Sequence, residues 1–281
     1  MSVELVWSRY GKSSVRLVKV RRASDPHDVI DLTIDVSLEG AFEKVYTDGD
    51  NSACVATDTM KNTIYAFARR DPIDHVEAFA SRLADHFSKK PGVSLAQIAA
   101  AEHPWTRLPA DGRPHPHAFA RAGEEDWTTV ATRSAGRTSI TSGLRGLVVL
   151  KTTDSAFAGF PRDEYTTLPE VRDRILATSI TATWQYADGF TDFSARTGIR
   201  QAMVGAFAAH ESESVQQTLY AMGAAALAAC SGVTEILLSL PNRHHLLVDL
   251  KPFGLDNPNE IFVATDQPFG LIEARIKRMP T

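Results

Sequence analysis

The chain has 281 residues, of which 43% are hydrophobic and 23% are charged, a composition typical of a soluble globular protein with one large or two small cores. Its net charge of −4 argues against a nucleic acid or an anionic membrane as partner, because such partners normally require a basic patch. No stretch approaches the roughly 18 apolar residues of a membrane span. We therefore expect a soluble protein that binds neither nucleic acid nor membrane.

Cysteine usage and the first residues point to the cytoplasm. Cys54 and Cys230 lie in apolar surroundings and form no C-x-x-C pattern, so we expect neither a disulfide scaffold nor a cysteine-based zinc site. The N-terminal segment has no basic region followed by a long apolar run, so no signal peptide is expected.

Hydrophobic periodicity predicts the elements of the first half. Apolar and polar residues alternate over 30–38, a period of two that predicts a half-buried antiparallel strand. This strand forms a hairpin with a strand at 15–20 across a turn at 24–26. Two helices follow, one capped by Asp58 or Thr59 and running to Arg69, the other with apolar residues at helical spacing over 76–87.

The second half repeats the same order. Its predicted elements are strands over 146–151 and 180–186, helices over 193–209 and 215–229, and strands over 235–240 and 245–250. The order strand, strand, helix, helix, strand, strand thus occurs twice. This repetition predicts an α+β fold of two tandem ββααββ units, with antiparallel sheets and helices on one face of each.

The boundary between the units is placed close to residue 137. Residues 104–135 are the least periodic part of the chain and contain prolines and an acidic run, so we assign them no element and no function. We predict a first unit over 1–136 and a second over 137–281.

The stretch 147–174 combines a strand with a loop rich in candidate ligand-binding groups. Residues 147–150 are apolar β-formers, and the following loop carries Phe157, Leu168 and Arg174. An aromatic face stacks on a flat heterocycle while a guanidinium donates two hydrogen bonds to its oxygen-rich edge. These three residues can converge on a flat, anionic heterocycle. In the alternative interpretation, Phe157 belongs to the core and Arg174 forms a surface ion pair.

The spacing of this stretch resembles the signature segment of the urate oxidase (uricase) family. The matching positions are Lys151, Thr152, Thr153, Ser155, Phe157, Phe160, Tyr165, Leu168 and Arg174. Similar segments occur at 10–12, 55–63, 214–218, 239–245 and 256–260, so the resemblance covers nearly the whole chain, and a bacterial member is expected.

The resemblance implies a fold, an assembly and an activity. The fold is the tunnelling fold, or T-fold, in which four chains, each with two units, stack into a β-barrel tunnel. The activity is oxidation of urate by dioxygen and water to 5-hydroxyisourate and hydrogen peroxide. No cofactor and no metal is needed, because the electron-rich purine anion can itself reduce dioxygen. The expected partners are urate, dioxygen and further copies of the chain in a homotetramer.

The resemblance also assigns the catalytic groups. Lys12 and Thr57 form a proton-relay pair that His244 completes, and a lysine serves as a base when desolvation or a nearby cation lowers its pKa. Asn242, with Thr57, holds dioxygen or the attacking water above the purine plane. Asn242 and His244 follow the predicted end of a strand, a loop position typical of functional groups. Considered alone, Lys12 is an ordinary surface lysine, Thr57 a helix-start residue and His244 a structural histidine.

The residues that bind urate follow from the same resemblance. Arg174 and Gln216 grip the two ends of the purine, Phe157 stacks on its ring and Leu168 lines the pocket. The full substrate-binding set is Thr57, Asp58, Phe157, Leu168, Arg174, Val215, Gln216 and Asn242, with Asp58 and Val215 acting through backbone amides. Thr57 and Asp58 come from a neighbouring subunit, so the site forms only at an interface.

Other interpretations have less support. His115, His117, His244 and His245 lack metal-ligand spacing, the run 48–59 departs from a calcium loop, and no glycine-rich nucleotide motif occurs. Two rivals remain: another T-fold pterin or purine enzyme, and a catalytically silent purine-binding protein.

Overall fold

The computed structural model describes residues 3–23 and 25–279, except for the side chain of Asp266. Ser24, in the predicted hairpin turn, and the terminal residues 1–2 and 280–281 lie outside the described residues. The chain divides into two compact units: one takes in the described residues up to Gly143 together with Gln185–Ser194, and the other takes in Leu144–Trp184 together with the described residues from Ala195 onward. These units are defined by their internal contacts and not by the sequence repeat. The predicted boundary between the two repeats, at residues 136 and 137, stays a prediction.

The first unit contains a sheet, two long helices and a separate hairpin. Its elements are β1 Tyr10–Arg21, β2 Asp28–Gly40, α1 Glu43–Thr47, α2 Thr57–Arg70, α3 Val76–Ser88, β3 Val93–Glu102, β4 Trp105–Ala110, β5 Arg113–Arg121, β6 Asp126–Ser134 and the first part of β7 Arg137–Lys151. The strand order in the sheet is β1-β2-β3-β6-β7, and the pairs β1–β2, β2–β3 and β3–β6 are antiparallel.

The core of this unit follows the predicted alternation. Leu32, Ile34, Val36 and Leu38 on β2 are fully or almost fully buried, and the residues between them are polar, so one face of the strand faces the core. On α3, apolar side chains at helical spacing, such as Phe79, pack into the same core. The predicted strand pair and the second helix are confirmed.

Helix α2 begins one residue earlier than the predicted cap. The N-cap is Ala56, which forms no side-chain capping hydrogen bond, and Thr57 is the first helical residue. The prediction of Asp58 or Thr59 as cap is wrong, because the Asp58 carboxylate binds Lys61 and Asn62 on the next turn instead of backbone N–H groups at the helix start.

The region 104–135, for which the sequence predicts no element, is largely extended and contains β4, β5 and β6. β4 and β5 form a two-stranded antiparallel hairpin whose turn contains Asp111 and Gly112, both with positive φ. Polar contacts hold this part of the chain: Trp105 Nε1 donates a hydrogen bond of 3.1 Å to the buried Asp31 carboxylate, and His103 Nδ1 lies 2.7 Å from Asp126 Oδ1. Because polar contacts hold these strands in place, their sequence shows little apolar periodicity.

The second unit has the predicted ββααββ order. Its elements are the remainder of β7, β8 Leu176–Tyr186, α4 Ala195–Ala209, α5 Val215–Ala229, β9 Val233–Leu247, a short 3-10 helix Lys251–Phe253 and β10 Phe262–Lys277. The strand order is β7-β8-β9-β10, and β9 and β10 are antiparallel. The same order with the β4–β5 insertion describes the first unit, so the α+β fold of two repeated units is confirmed.

One strand replaces two of those predicted in the second unit. β9 runs without interruption through Pro241, where the sequence predicts a strand end, and β10 was not predicted. The pairing of β10 with β9 shifts register between Thr265 and Gly270. Residues 266–269 of β10 therefore form a bulge opposite Arg243.

No helix in the described part of the chain is long and apolar enough to cross a membrane.

Gly11 is expected to tolerate no side chain. A Cβ built on Gly11 lies 1.8 Å from the Val36 carbonyl oxygen of β2, so Gly11→Ala forces β1 away from its neighbour and lowers the free energy of unfolding by about 1–3 kcal/mol. Gly205→Ala is the matched control: Gly205 is exposed within α4 with nothing near its Cβ, and alanine there stabilises a helix by roughly 0.5–1 kcal/mol. Urea denaturation of both variants measures the difference, and equal midpoints contradict the expectation.

Candidate active site

Lys12 lies at the point where β1 loses its regular pairing with β2. The register is continuous from Tyr10 to Lys12 and shifts before Val15. Within this bulge Ser14 has a φ of +58°, and its N–H donates to the Asp35 carboxylate. The bulge re-aims the chain next to a half-buried lysine, a placement common beside functional sites.

Thr57 and Asp58 form the first turn of α2, and both are exposed. The Asp58 carboxylate contacts the Lys61 ammonium and accepts a hydrogen bond of 2.9 Å from Asn62 Nδ2. Lys61 is the main cause that lowers the pKa of Asp58, through its hydrogen bond to the carboxylate and through its positive charge. The positive charge of Lys12 lowers this pKa further. Lys12 and the first turn of α2 are therefore neighbours in the first unit.

Phe157 and Arg174 meet in the second unit. The guanidinium carbon of Arg174 lies 5.5 Å from the centre of the Phe157 ring, and the Phe160 ring stacks on the same Phe157 with centroids 5.0 Å apart. Reciprocal backbone hydrogen bonds of 2.8 and 3.1 Å between Phe157 and Val171 fix the loop on which the ring stands.

Arg174 is a half-buried cation without a counter-ion. No carboxylate among the described residues pairs with it, its Nε is buried without a hydrogen-bond partner, and burial lowers the pKa of the guanidinium. The alternative of a surface ion pair is wrong. An unpaired, desolvated guanidinium beside an aromatic face favours a flat anionic ligand.

The start of α5 lies beside the Phe157 loop. Ala156 N–H donates to the Ser212 carbonyl at 2.6 Å, which joins the segment before Phe157 to the segment before α5. Ser214 caps the helix by accepting from the Gln217 N–H. Val215 is buried and Gln216 is exposed at this end of the helix.

A chain of hydroxyl groups that the sequence analysis missed supports this helix start. Thr218 Oγ1 donates to Ser212 Oγ at 2.7 Å, and Ser212 Oγ donates to the Ser214 carbonyl at 3.0 Å. Ser212 and Thr218 are buried. The cluster of hydroxyl residues next to the family-like segment 214–218 is the only sequence signal for it.

Leu168 is exposed, and its carbonyl accepts a hydrogen bond of 3.4 Å from Arg162. Its role as a pocket wall stays a prediction.

Asn242 and His244 lie on β9, which corrects the expected loop position. They are two residues apart on one strand, so their side chains point to the same side, and both are half-buried. Their partners on β10 are Gly270 and Thr265, which flank the bulge. Neither side chain forms a hydrogen bond within the described part of the chain, so their polar atoms are available to a ligand.

The candidate residues thus form one group around Lys12 and α2 in the first unit, and others around Phe157, α5 and β9 in the second. In the described ranges, no three side chains of the types His, Cys, Asp and Glu are arranged to hold a metal ion.

The fold defines an α+β protein of two ββααββ units, and these groups make up its candidate site. The uricase family model matches residues 8–132 and 140–273. The chain is 48% identical to the uricase of Arthrobacter globiformis over 98% of this chain and 90% of that protein, and 39% identical to the uricase of Aspergillus flavus over 96% of each. The crystal structure of the Arthrobacter globiformis uricase superposes with a TM-score of 0.95, 46% identity and coverage of 100% of this chain and 97% of that one.

The chain belongs to the uricase family. The resemblance drawn from its motifs is confirmed, and its fold is the tunnelling fold.

The shared environment of Lys12 and Asp58 can be measured by carboxylate NMR titration. We expect Lys61→Ala to raise the pKa of Asp58 most, because Lys61 supplies both the hydrogen bond and the nearest charge, and Lys12→Ala to raise it less. Lys90→Ala, two residues after the end of α3, is the control, and we expect no change from it. If Lys12→Ala leaves the pKa of Asp58 unchanged, the proximity of Lys12 to α2 is contradicted.

Proposed function

We propose that this chain oxidises urate with dioxygen and water to 5-hydroxyisourate and hydrogen peroxide, without a cofactor. The urate anion loses a proton and passes electrons to dioxygen, a hydroperoxide forms at the bridging carbon of the purine, and water then displaces hydrogen peroxide. Membership of the uricase family supports this activity.

The pairing of Arg174 with Phe157 is the observation that carries the proposal. An unpaired guanidinium 5.5 Å from the centre of an aromatic ring supplies what a flat anion requires: a face for stacking and charged donors at the edge. Gln216 is exposed at the start of α5, where its amide can match the urea-like edge of the purine. The backbone amides of Asp58 and Val215, together with Leu168, complete the proposed binding set.

Lys12, Thr57 and His244 form the proposed proton relay. The charge of Lys12 acts on Asp58, the residue next to Thr57 on α2, which supports placing Lys12 and Thr57 in one relay. Asn242 and His244 project from the same side of β9, so His244 can complete the relay while Asn242, with Thr57, holds dioxygen or water.

The proposed assembly is a homotetramer whose β-sheets form a tunnel. Each site then combines Thr57 and Asp58 of one subunit with Arg174 and Phe157 of another. On the face of β9 and β10 opposite the buried Ile236, Leu238 and Leu240, the sheet exposes Leu237, Leu247 and Leu271, apolar side chains that association would cover. The family model leaves residues 133–139 unmatched, which supports two T-fold units that meet at 136/137. We place the protein in the cytoplasm, since both cysteines are unpaired.

Oxygen uptake tests the activity directly. Protein stripped of metal with a chelator is expected to consume dioxygen and release peroxide in equal amounts when urate is added. Xanthine, which lacks the C8 oxygen, is the control substrate and is expected to give no uptake. Dependence on added metal or flavin would rule out the cofactor-free reaction.

Two substitutions are expected to separate catalysis from binding. Lys12→Ala removes the base and should lower kcat by roughly 10²–10⁴-fold. Arg174→Gln removes a charged fork and should raise KM by roughly 10- to 100-fold. Steady-state kinetics on tetramers of equal folded fraction measure both, and full urate turnover by Lys12→Ala means that Lys12 is not the base.

A further inference from the structure

Tyr10 joins the two segments that carry Lys12 and Thr57. It lies two residues before Lys12 on β1, and Val55 lies two residues before Thr57 at the start of α2. The Val55 backbone N–H donates a hydrogen bond of 2.8 Å to the Tyr10 hydroxyl oxygen. A single side-chain-to-backbone hydrogen bond therefore connects the strand of the candidate base to the helix start of its partner.

The Tyr10 hydroxyl is a fixed and neutral group. Its ring packs edge-on against the fully buried Phe42, with centroids 4.9 Å apart, so the phenol has little freedom to move. Burial raises the pKa of Tyr10 to about 12, and the neighbouring Cys54 side chain raises it as well. A phenol that stays protonated serves as an anchor and not as a base.

The start of α2 has no side-chain N-cap, and the Tyr10 hydroxyl holds the backbone just before it. Ala56, at the N-cap, provides no side-chain hydrogen bond, and Thr57 and Asp58 are exposed. On the other side, β1 is held close to β2 at Gly11, where no Cβ fits. The Tyr10 hydroxyl thus holds the backbone before the first turn of α2 at a fixed distance from β1.

We propose that Tyr10 is a positioning residue: its hydroxyl holds the Val55 N–H so that the Lys12 amine and the Thr57 hydroxyl keep the separation that proton transfer requires. This inference rests on the proposed function, in which these two groups form the relay. Proton transfer needs the two groups within hydrogen-bond reach, and a shift of about 1 Å costs up to roughly 10²-fold in rate.

Tyr10→Phe tests the role by removing only the hydroxyl. The ring still packs on Phe42, and the Val55 N–H loses its acceptor. We expect kcat for urate to fall about tenfold or more. We expect KM to stay within about twofold of the wild-type value, because Phe157 and Arg174 are unchanged.

Tyr65→Phe is the matched control. Tyr65 lies on α2, and its hydroxyl donates a hydrogen bond of 3.2 Å to the Arg16 carbonyl of β1. The control therefore also removes a tyrosine hydroxyl that joins β1 to the chain of α2, but it does so away from Lys12 and Thr57. We expect wild-type kcat and KM from it, with thermal unfolding used to compare variants at equal folded fraction.

A second variant removes the other partner of the hydrogen bond. Val55→Pro has no N–H to donate, so combining it with Tyr10→Phe should lower kcat no further than the slower single variant. Wild-type kcat in Tyr10→Phe, an equal loss in Tyr65→Phe, or additive losses in the double variant overturn the positioning role. A wild-type protein that leaves urate unconsumed overturns the proposed function instead, so the two failures are distinguishable.

Discussion

The chemistry of the second unit depends on one unpaired charge. Arg174 is partly withdrawn from water and forms no ion pair in the described ranges, so the protein bears a desolvation cost that an anionic ligand would offset. The ring of Phe157 covers one side of this guanidinium and is itself held by the strand-like pairing with Val171. The loop between β7 and β8, which has little regular structure, is therefore rigid where the ligand would lie. The same loop reaches the start of α5 through Ala156 and Ser212, so ring, cation and helix share one backbone framework.

The parts of the fold that bury one apolar face were predictable. β2 and α3 each display the period of their secondary structure, because the core needs every second or every third to fourth residue. The β4–β5 hairpin was not predicted, since contacts such as that of Trp105 with Asp31 hold it in place of an apolar stripe. Its Asp111-Gly112 turn is a recognisable hairpin signal and could have identified it. β10 was missed for a related reason: its bulge breaks the alternation, and many of its side chains are exposed.

The candidate site divides in the same way. Spacing in the sequence was enough to bring Phe157 and Arg174 together, because both lie in one loop between neighbouring strands. The start of α2 was misplaced, since the Asp58 carboxylate binds Lys61 and Asn62 and does not cap the helix. The segment before the helix is held by a hydrogen bond from Val55 to Tyr10, 45 residues away in the sequence. Asn242 and His244 were assigned to a loop because proline usually ends a strand, whereas β9 continues through Pro241 beside a bulged neighbour. Contacts between distant segments leave no periodic trace, so a single sequence does not reveal them.

The duplicated element order carries unequal chemistry in its two copies. In the proposed site, the first copy supplies the Lys12 amine on β1 and the Thr57 hydroxyl at the start of α2. The second copy supplies an aromatic ring and a guanidinium from the loop before β8, an amide from α5, and Asn242 and His244 from β9. Under the proposed function, the first copy supplies most of the proton relay and the second copy supplies most of the contacts with urate. Such specialisation lets mutation retune reactivity and affinity on separate scaffolds, an evolutionary freedom that an undivided pocket lacks.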